Sequence, residues 1–266
     1  MKNIMLNLYN KIKKLGILKI YEKKLELEID KNNLPKHIAI IMDGNRRTAK
    51  MLGKKSYEGH YLGAEKAKEV LRWTRDLGIK VVTLYSFSLE NFNRPKEEID
   101  VLMKLFKEKF YEIADDKDIH KYKVRVKAIG RIHLLPKDVQ EAIKYAEERT
   151  KNYNNFYVNI AIAYGGQQEI VDAVRKIAEK VKKGELNPED IDKETIDDHL
   201  YTSHLPHPEP DLIIRTSGEE RISNFLIWQS SYSELYFCDV YWPFFRKIDF
   251  LRAIRDYQRR QRRFGK

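Results

Sequence analysis

The sequence predicts a single α/β domain built on a parallel sheet. Short Ile- and Val-rich runs alternate with longer segments of helical period from Leu34 onward, as expected where helices cover both faces of parallel strands. No internal repeat and no Pro/Gly/Ser-rich linker divides the chain. The polar residues of unusual density fall directly after the apolar runs, where open parallel sheets bind ligands. The 266 residues carry 51 Lys+Arg against 40 Asp+Glu, a formal charge of +11, with 42% hydrophobic content. That balance excludes a disordered polar chain and a membrane bundle. No apolar run reaches the roughly 18 residues of a spanning helix, and no secretory signal is evident at the start. One cysteine, Cys238, excludes an internal disulfide framework and suits a reducing cytoplasm.

Residues 1–34 read as a separate N-terminal helical segment. Leu8, Ile12, Leu15, Leu18 and Ile20 alternate with lysines 11, 13, 14, 19, 23 and 24, an amphipathic pattern with a basic face. Such a helix either packs on the domain with its lysines in solvent or lies on an anionic bilayer. The domain proper spans residues 35–266. Its strands are expected at His37–Met42, Lys80–Phe87, Tyr122–Ile129, Phe156–Tyr164, Asp211–Arg215 and Glu234–Phe237. Helices are expected near Gly59–Leu77, Lys96–Ile113, Pro136–Thr150, Gln167–Lys183, Asp192–His199 and Ile248–Phe264.

After the first strand stands Asp43-Gly44-Asn45-Arg46-Arg47. Backbone amides opening onto a helix, with guanidinium groups beside them, make a site for phosphate or diphosphate. A carboxylate there makes sense as the holder of a divalent cation bridging to those phosphates. His60, at the next helix start, could donate to the same anion. After the second strand comes Ser88-Leu89-Glu90-Asn91-Phe92-Asn93-Arg94-Pro95, a polar segment before a helix. The third cluster, Arg215 to Phe225, places Arg215, Arg221 and Ser223 around a Gly-containing loop able to enclose a second phosphate group. Glu234, opening the last strand, is a second candidate metal ligand. Taken singly, each segment reads equally well as ordinary loop chemistry. There is no P-loop and no G-x-G-x-x-G, and Gly165-Gly166 is too short to stand for either. Asp115-Asp116-Lys117-Asp118 reads as solvated charge, and His199, His204 and His207 lack the companions of a zinc site.

Taken jointly, HIAIIMDGNRR, EGHYLGAEK, TLYSFSLENFNRP, NIAIAYGGQQEI and DLIIRTSGEERISNFLIWQSSYSELYF with VYWPFF closely resemble the cis-prenyltransferases, the undecaprenyl and dehydrodolichyl diphosphate synthases. The resemblance runs from Leu34 to Lys266. It implies a six-stranded, mostly parallel sheet flanked by helices, a hydrophobic tunnel and a homodimer. It implies Mg²⁺-dependent, sequential condensation of isopentenyl diphosphate onto an allylic diphosphate, farnesyl or geranylgeranyl, to give a long-chain polyprenyl carrier lipid. By position, Asp43 and Asn91 match the catalytic residues. Gly44, Asn45, Arg46, Arg47, His60, Ser88, Glu90, Phe92 and Arg94 match the allylic diphosphate site. Arg215, Arg221 and Ser223 match the isopentenyl diphosphate site, and Asp43 and Glu234 match metal-associated positions, the glutamate contributed across the dimer in some members. Arg263 and Gly265 match a C-terminal R-x-G element that reaches the neighbouring active site.

Arg46-Arg47-Thr48 replaces the Gly-Arg-Trp of many bacterial members and sides with the eukaryotic and archaeal branch. Ser56 stands where another phosphate-binding arginine is common, and Glu220 replaces a histidine. Ile99, Leu102, Met103, Phe106 and Phe110 share one helix face beside Leu105, a candidate tunnel wall. Two rivals stand: a non-catalytic subunit of a heteromeric synthase, which the intact Asp-Gly-Asn-Arg segment disfavours, and a basic nucleic-acid-binding protein, for which no module is present. The expected location is the cytoplasm, with peripheral membrane contact through the N-terminal helix.

Overall fold

The computed structural model describes residues 16–260. The sheet has six strands in the order β3-β4-β2-β1-β5-β6. They are β1 His37–Ile41, β2 Val81–Ser88, β3 Val124–Ile129, β4 Phe156–Tyr164, β5 Leu212–Arg215 and β6 Glu234–Phe237, and every pairing is parallel. All five residues of β1 are buried, which explains why it reads as an unbroken apolar run.

The helices are α1 Ile17–Glu28, α2 Asn45–Met51, α3 Glu58–Leu77, α4 Lys96–Asp115 and α5 Lys117–Lys121, followed by α6 Lys137–Thr150, α7 Gly166–Lys182, α8 Lys193–Asp197 and α9 Lys247–Arg259. Ile38 and Ile40 point to the face covered by α3 and α9, with Leu212, Ile214 and Leu84 beside them. Val126, Val158 and Ile160 continue that face under α4 and α6. Ala39, Ile41 and Ile213 point the other way, against Tyr164, Phe225 and Leu226. β1 therefore lies at the sheet's centre, with the chain winding one way through β2 and the other through β5. The crevice between β1 and β5 is the topological switch point.

α1 is amphipathic in an unequal way. Leu25 is fully buried, Ile29 nearly so, and Leu18 and Tyr21 pack beside them on the α9 side of the core. Ile17, Ile20 and Leu27 face outward at 55%, 72% and 81% exposure. The N-terminal segment, where described, is thus packed on the domain core. The pattern at Leu8, Ile12 and Leu15, and Arg263 and Gly265, lie outside the described residues. Of the expected charge clusters, Asp116 caps α5 through the Asp118 and Ile119 amides, and Asp118 pairs with Arg75.

Candidate active site

Three loops meet at the carboxyl ends of β1, β2 and β5. The first follows β1. Asp43 bends out of the sheet, its carbonyl accepting from Trp242 N at 2.9 Å and Thr216 Oγ1 at 2.7 Å. Gly44 then adopts a φ of 102°, and a Cβ there would meet the Tyr241 side chain at 2.9 Å. Asn45 opens α2, and its side chain is clamped by α3, where a Cβ on Gly63 would come within 2.3 Å of Asn45 Oδ1. Arg46 and Arg47 follow on the first turn.

Asp43 is the electrostatic centre. Its Oδ1 accepts from Gly44 N at 2.6 Å and lies 3.1 Å from Arg47 Nη2, and its Oδ2 accepts from Arg215 Nη2 at 3.0 Å. Burial pushes its pKa upward, but the hydrogen bonds from Arg215 and Arg47 outweigh it and hold the carboxyl below its ordinary value. Arg47 also reaches Ser217 Oγ at 2.6 Å and Glu219 at 3.1 Å, and lies over the Tyr241 ring.

The second loop follows β2, whose pairing with β4 slips between Tyr85 and Phe87, leaving Ser86 as the extra residue of a bulge. Ser88 and Asn91 then cap a 3₁₀ turn, Leu89–Asn93, reciprocally: Ser88 N donates to Asn91 Oδ1 at 3.1 Å and the Ser88 hydroxyl accepts from Asn91 N. Ser88, Glu90, Asn91 and Arg94 line the pocket. Phe92 turns beneath it, edge-on to Phe87 at 4.9 Å.

The third loop follows β5. Arg215 is buried, donating through Nη1 to the Arg221 carbonyl and to Ser223 Oγ, the latter at 2.7 Å, while its Nε has no protein partner. Ser223 lines the pocket with Arg215. The Arg221 guanidinium is 62% exposed, held by Glu219 at 2.6 Å, and does not line it. Glu220 is exposed.

Sequence reading passed over Glu98 and Lys50. Glu98, on the inner face of α4, is buried and draws together three of the expected anion-binding donors: His60 Nε2 at 3.1 Å, Arg94 Nη1 at 3.0 Å and Arg46 Nε at 3.7 Å. Burial lowers the His60 pKa, opposed by the Glu98 hydrogen bond and assisted by Arg94 and Arg46. The outer mouth is lined by Gly44, Arg46, Arg47, Lys50, Ser56 and Arg94 among others, so Lys50 supplies a cation beside Ser56. The available signal for Glu98 was its helical phase, four residues before Leu102 on the apolar stripe.

Within one chain Glu234 does not approach Asp43. Glu234 is level with Leu212, whereas Phe237 is level with Arg215. It therefore lies at the amino end of the sheet, about 10 Å along the strand from the pocket, and pairs with Arg260 Nη1 at 2.8 Å. Among the described residues no three His, Cys, Asp or Glu side chains gather to hold a metal. Asp43 and Glu90 are the carboxylates lining the pocket, and Asp43, beside the Gly44–Asn45 turn, is the one placed to offer an oxygen to a hard cation there. That donor set fits Mg²⁺, which keeps several waters and binds through one or two carboxylates plus substrate phosphates.

Behind the polar pocket, between α3 and α4, lies an apolar cavity whose walls include Ala67, Leu71, Leu102, Leu105, Phe106 and Phe110. The two share Met42, Asn45, His60 and Ser86 as lining residues. A further cavity shares Lys68, Leu71 and Ile113 with the apolar one and reaches Val124 and Phe156 at the sheet's amino edge. A cationic, donor-rich pocket thus adjoins a row of apolar cavities along the sheet.

Comparison with known proteins agrees. A family model described as putative undecaprenyl diphosphate synthase matches residues 41–265. A Methanocaldococcus jannaschii protein named tritrans,polycis-undecaprenyl-diphosphate synthase (geranylgeranyl-diphosphate specific) is 76% identical over 265 residues, 100% of this chain and 95% of that one. A Methanopyrus kandleri protein of the same name is 56% identical over 94% of this chain and 92% of its own length. The crystal structure of lavandulyl diphosphate synthase from Lavandula x intermedia with dimethylallyl diphosphate superposes with a TM-score of 0.83 at 40% identity, covering 88% of this chain and 99% of that one. A probable undecaprenyl diphosphate synthase from Campylobacter jejuni superposes with a TM-score of 0.71 at 34% identity, over 88% of this chain and 100% of that one.

Proposed function

The chain belongs to the undecaprenyl diphosphate synthase family of cis-prenyltransferases and catalyses cis-prenyl chain elongation, and we propose that both diphosphates meet in the Asp43 pocket with geranylgeranyl diphosphate as the primer. The primer follows the names of the relatives at 76% and 56% identity. The observation that carries the site reading is the shared lining of Met42, Asn45, His60 and Ser86, which joins a headgroup pocket to an apolar cavity.

The allylic diphosphate sits against the Gly44–Asn45 turn with Arg46, Arg47, Lys50, His60 and Arg94 around it. The isopentenyl diphosphate sits against Arg215 and Ser223, whose loop Arg221 closes when it leaves Glu219. Asp43 would hold Mg²⁺, which when bound would offset the charge of the diphosphates. As the allylic carbon–oxygen bond breaks, its electron pair passes to the leaving diphosphate, where fixed N–H groups and guanidinium groups stabilise the growing charge. The isopentenyl double bond then attacks the allylic carbon, and the proton lost from its neighbouring carbon passes, beside Asn91 and Ser88, to an oxygen of the departed diphosphate. Phe87 and Phe92 below the turn keep water from the carbocation. The lengthening tail feeds between α3 and α4.

The working form is a homodimer, in which Glu234 approaches the partner's pocket. The outward stripe of Ile17, Ile20 and Leu27, flanked by Lys19, Lys23 and Lys24, rests on an anionic bilayer that receives the product. No helix among the described residues is long and apolar enough to cross one. Labelled isopentenyl diphosphate supplied with geranyl, farnesyl or geranylgeranyl primer, with and without Mg²⁺, tests the reading. Mg²⁺-dependent elongation with the highest kcat/KM for geranylgeranyl diphosphate is expected. Equal use of all three primers overturns the primer assignment, and no incorporation with any of them overturns the site.

A further inference from the structure

The turn carrying Asn91 and the loop carrying Ser223 are separate in sequence, yet condensation requires their two substrates in register. We propose that Asn224 is the positioning residue that fixes this register, tying the isopentenyl diphosphate loop to the Leu89–Asn93 turn through Glu90; the proposal rests on the site reading above.

The amide is used at both ends. Asn224 Oδ1 accepts from Gln167 N at 2.9 Å, which fixes the side chain's orientation, and Nδ2 donates to Glu90 Oε1 at 3.2 Å. Its backbone carbonyl accepts from Gly166 N at 2.7 Å. The residue has a φ of 62°, and Ser223 and Leu226 beside it have 48° and 46°. Non-glycine residues persist there only when their surroundings over-determine them. Phe225 supplies part of that, stacked on Tyr85 at 4.5 Å and edge-on to Tyr164. The Tyr85 hydroxyl donates to the Ser223 carbonyl at 3.2 Å.

The arrangement also accounts for Gly165-Gly166, which matched no phosphate motif. A Cβ on Gly165 would stand 3.0 Å from Asn224 Nδ2, and one on Gly166 would stand 3.1 Å from the Asn224 carbonyl and closer still to Ile227. The pair makes room for Asn224 rather than for an anion. Glu90 is suited to receive its donor: burial raises its pKa, but hydrogen bonds from Ser88 and Asn224 among others leave it lowered and ionised.

Steady-state elongation by the full chain tests this with the Asn224→Asp variant. The carboxylate keeps the acceptor for Gln167 but sets like charge against Glu90. The kcat should fall at least about tenfold at neutral pH with the melting temperature and the KM for isopentenyl diphosphate little changed. The defect should ease toward pH 5, as one of the facing carboxylates takes a proton. Asn224→Asp should cost a smaller fraction of kcat in a Glu90→Gln background, whose amide can donate to the new carboxylate, than in the parent. Gly165→Ala, which displaces the Nδ2 without substituting residue 224, should lower kcat in the same way if Asn224→Asp fails to fold. Parental kcat in Asn224→Asp, or an equal fractional loss in both backgrounds, overturns the coupling. Absence of elongation by the parent chain would instead overturn the site reading.

Discussion

Replacing Asp43 with asparagine keeps the side chain's volume and removes the charge on which Arg47 and Arg215 converge. Arg215 is only 5% exposed, so its lost partner is not replaced by water. A hydrogen bond to a charged group contributes roughly 1.5–3 kcal/mol net, and Arg47, 39% exposed, contributes near the bottom of that range or below it. A stability loss of about 2 kcal/mol follows, or roughly 4–8 °C in melting temperature for a domain of this size. Arg215 retains Ser223 and the Arg221 carbonyl, so the fold survives. The Asp43 carboxyl has a depressed pKa in the folded state. Its contribution is therefore present above the ordinary carboxylate value of about 3.9 and is lost as pH falls through the lower folded-state value. The parent and variant melting curves should converge in strong acid. Catalysis suffers more, because two guanidinium groups lose their fixed orientation and Mg²⁺ loses its protein ligand. Losing two such interactions in the transition state, about 3–6 kcal/mol, predicts a fall of about 10²–10⁴ in kcat/KM. Incorporation of labelled isopentenyl diphosphate across a Mg²⁺ titration measures it, and the ion concentration at half-maximal rate should rise. A folded Asp43→Asn variant at parental kcat/KM would refute the reasoning. A slower variant with an unchanged Mg²⁺ requirement would remove Asp43 from the ion.

Ala67→Phe projects a ring into the cavity between α3 and α4; overpacking of about 1–3 kcal/mol is tolerable, and product sizing should show shorter chains with the first condensation preserved. Full-length product from this variant would place the tail elsewhere. Glu169 is buried and accepts from the Tyr164 hydroxyl, from Tyr201 N at 2.7 Å and from Gln229 Nε2 at 3.0 Å, with its pKa raised by burial against those bonds. Native protonation above the unfolded value means stability present below about 4.5 and lost as pH rises through the folded value. Glu169→Gln should flatten that dependence, while Glu169→Leu, which strands three donors, should cost about 3 kcal/mol or more by denaturant titration. Ile20→Glu with Leu27→Glu should abolish co-sedimentation with phosphatidylglycerol vesicles while leaving elongation of a soluble primer intact. The outward positions are chosen because truncation of residues 1–30 would remove the buried Leu25 and Ile29 as well.

All six strands were legible as short runs dominated by apolar and aromatic residues, Ile- and Val-rich in all but β6, and their observed ends fall within two residues of those read from the sequence. The Asp43, Asn91 and Arg215 loops were legible for a related reason: polar density at the carboxyl ends of such runs has few structural uses. Two kinds of residue escaped. Glu98 and Glu169 sit in helices rich in surface acids, and only their phase against Leu102 and Ala173 separates them from exposed neighbours such as Glu97. Glu234 was matched to the metal by resemblance, through the partner in some members, and as the first residue of a parallel strand it lies at the end opposite its own chain's pocket. Arg221 was legible as a cation near the site, but the sequence carried no sign that Glu219 holds it outward.

The placement of Glu98 bears on how the pocket is kept ready without substrate. Arg94 and Arg46 would repel one another if left unpaired beside the neutral His60, and Arg94 is already burdened by burial, which lowers its pKa. A buried carboxylate among them offsets that repulsion and fixes their directions in advance, so an arriving diphosphate meets oriented donors and little reorganisation is left for the transition state. Asp43 does the same for Arg47 and Arg215 on the other side. The two carboxylates differ in what they face: Asp43 opens on the pocket and is 30% exposed, whereas Glu98 is 8% exposed and shielded by its own cations. Only the first is accessible to a metal ion. The division between a carboxylate that orients and one also open to a cation therefore follows from burial.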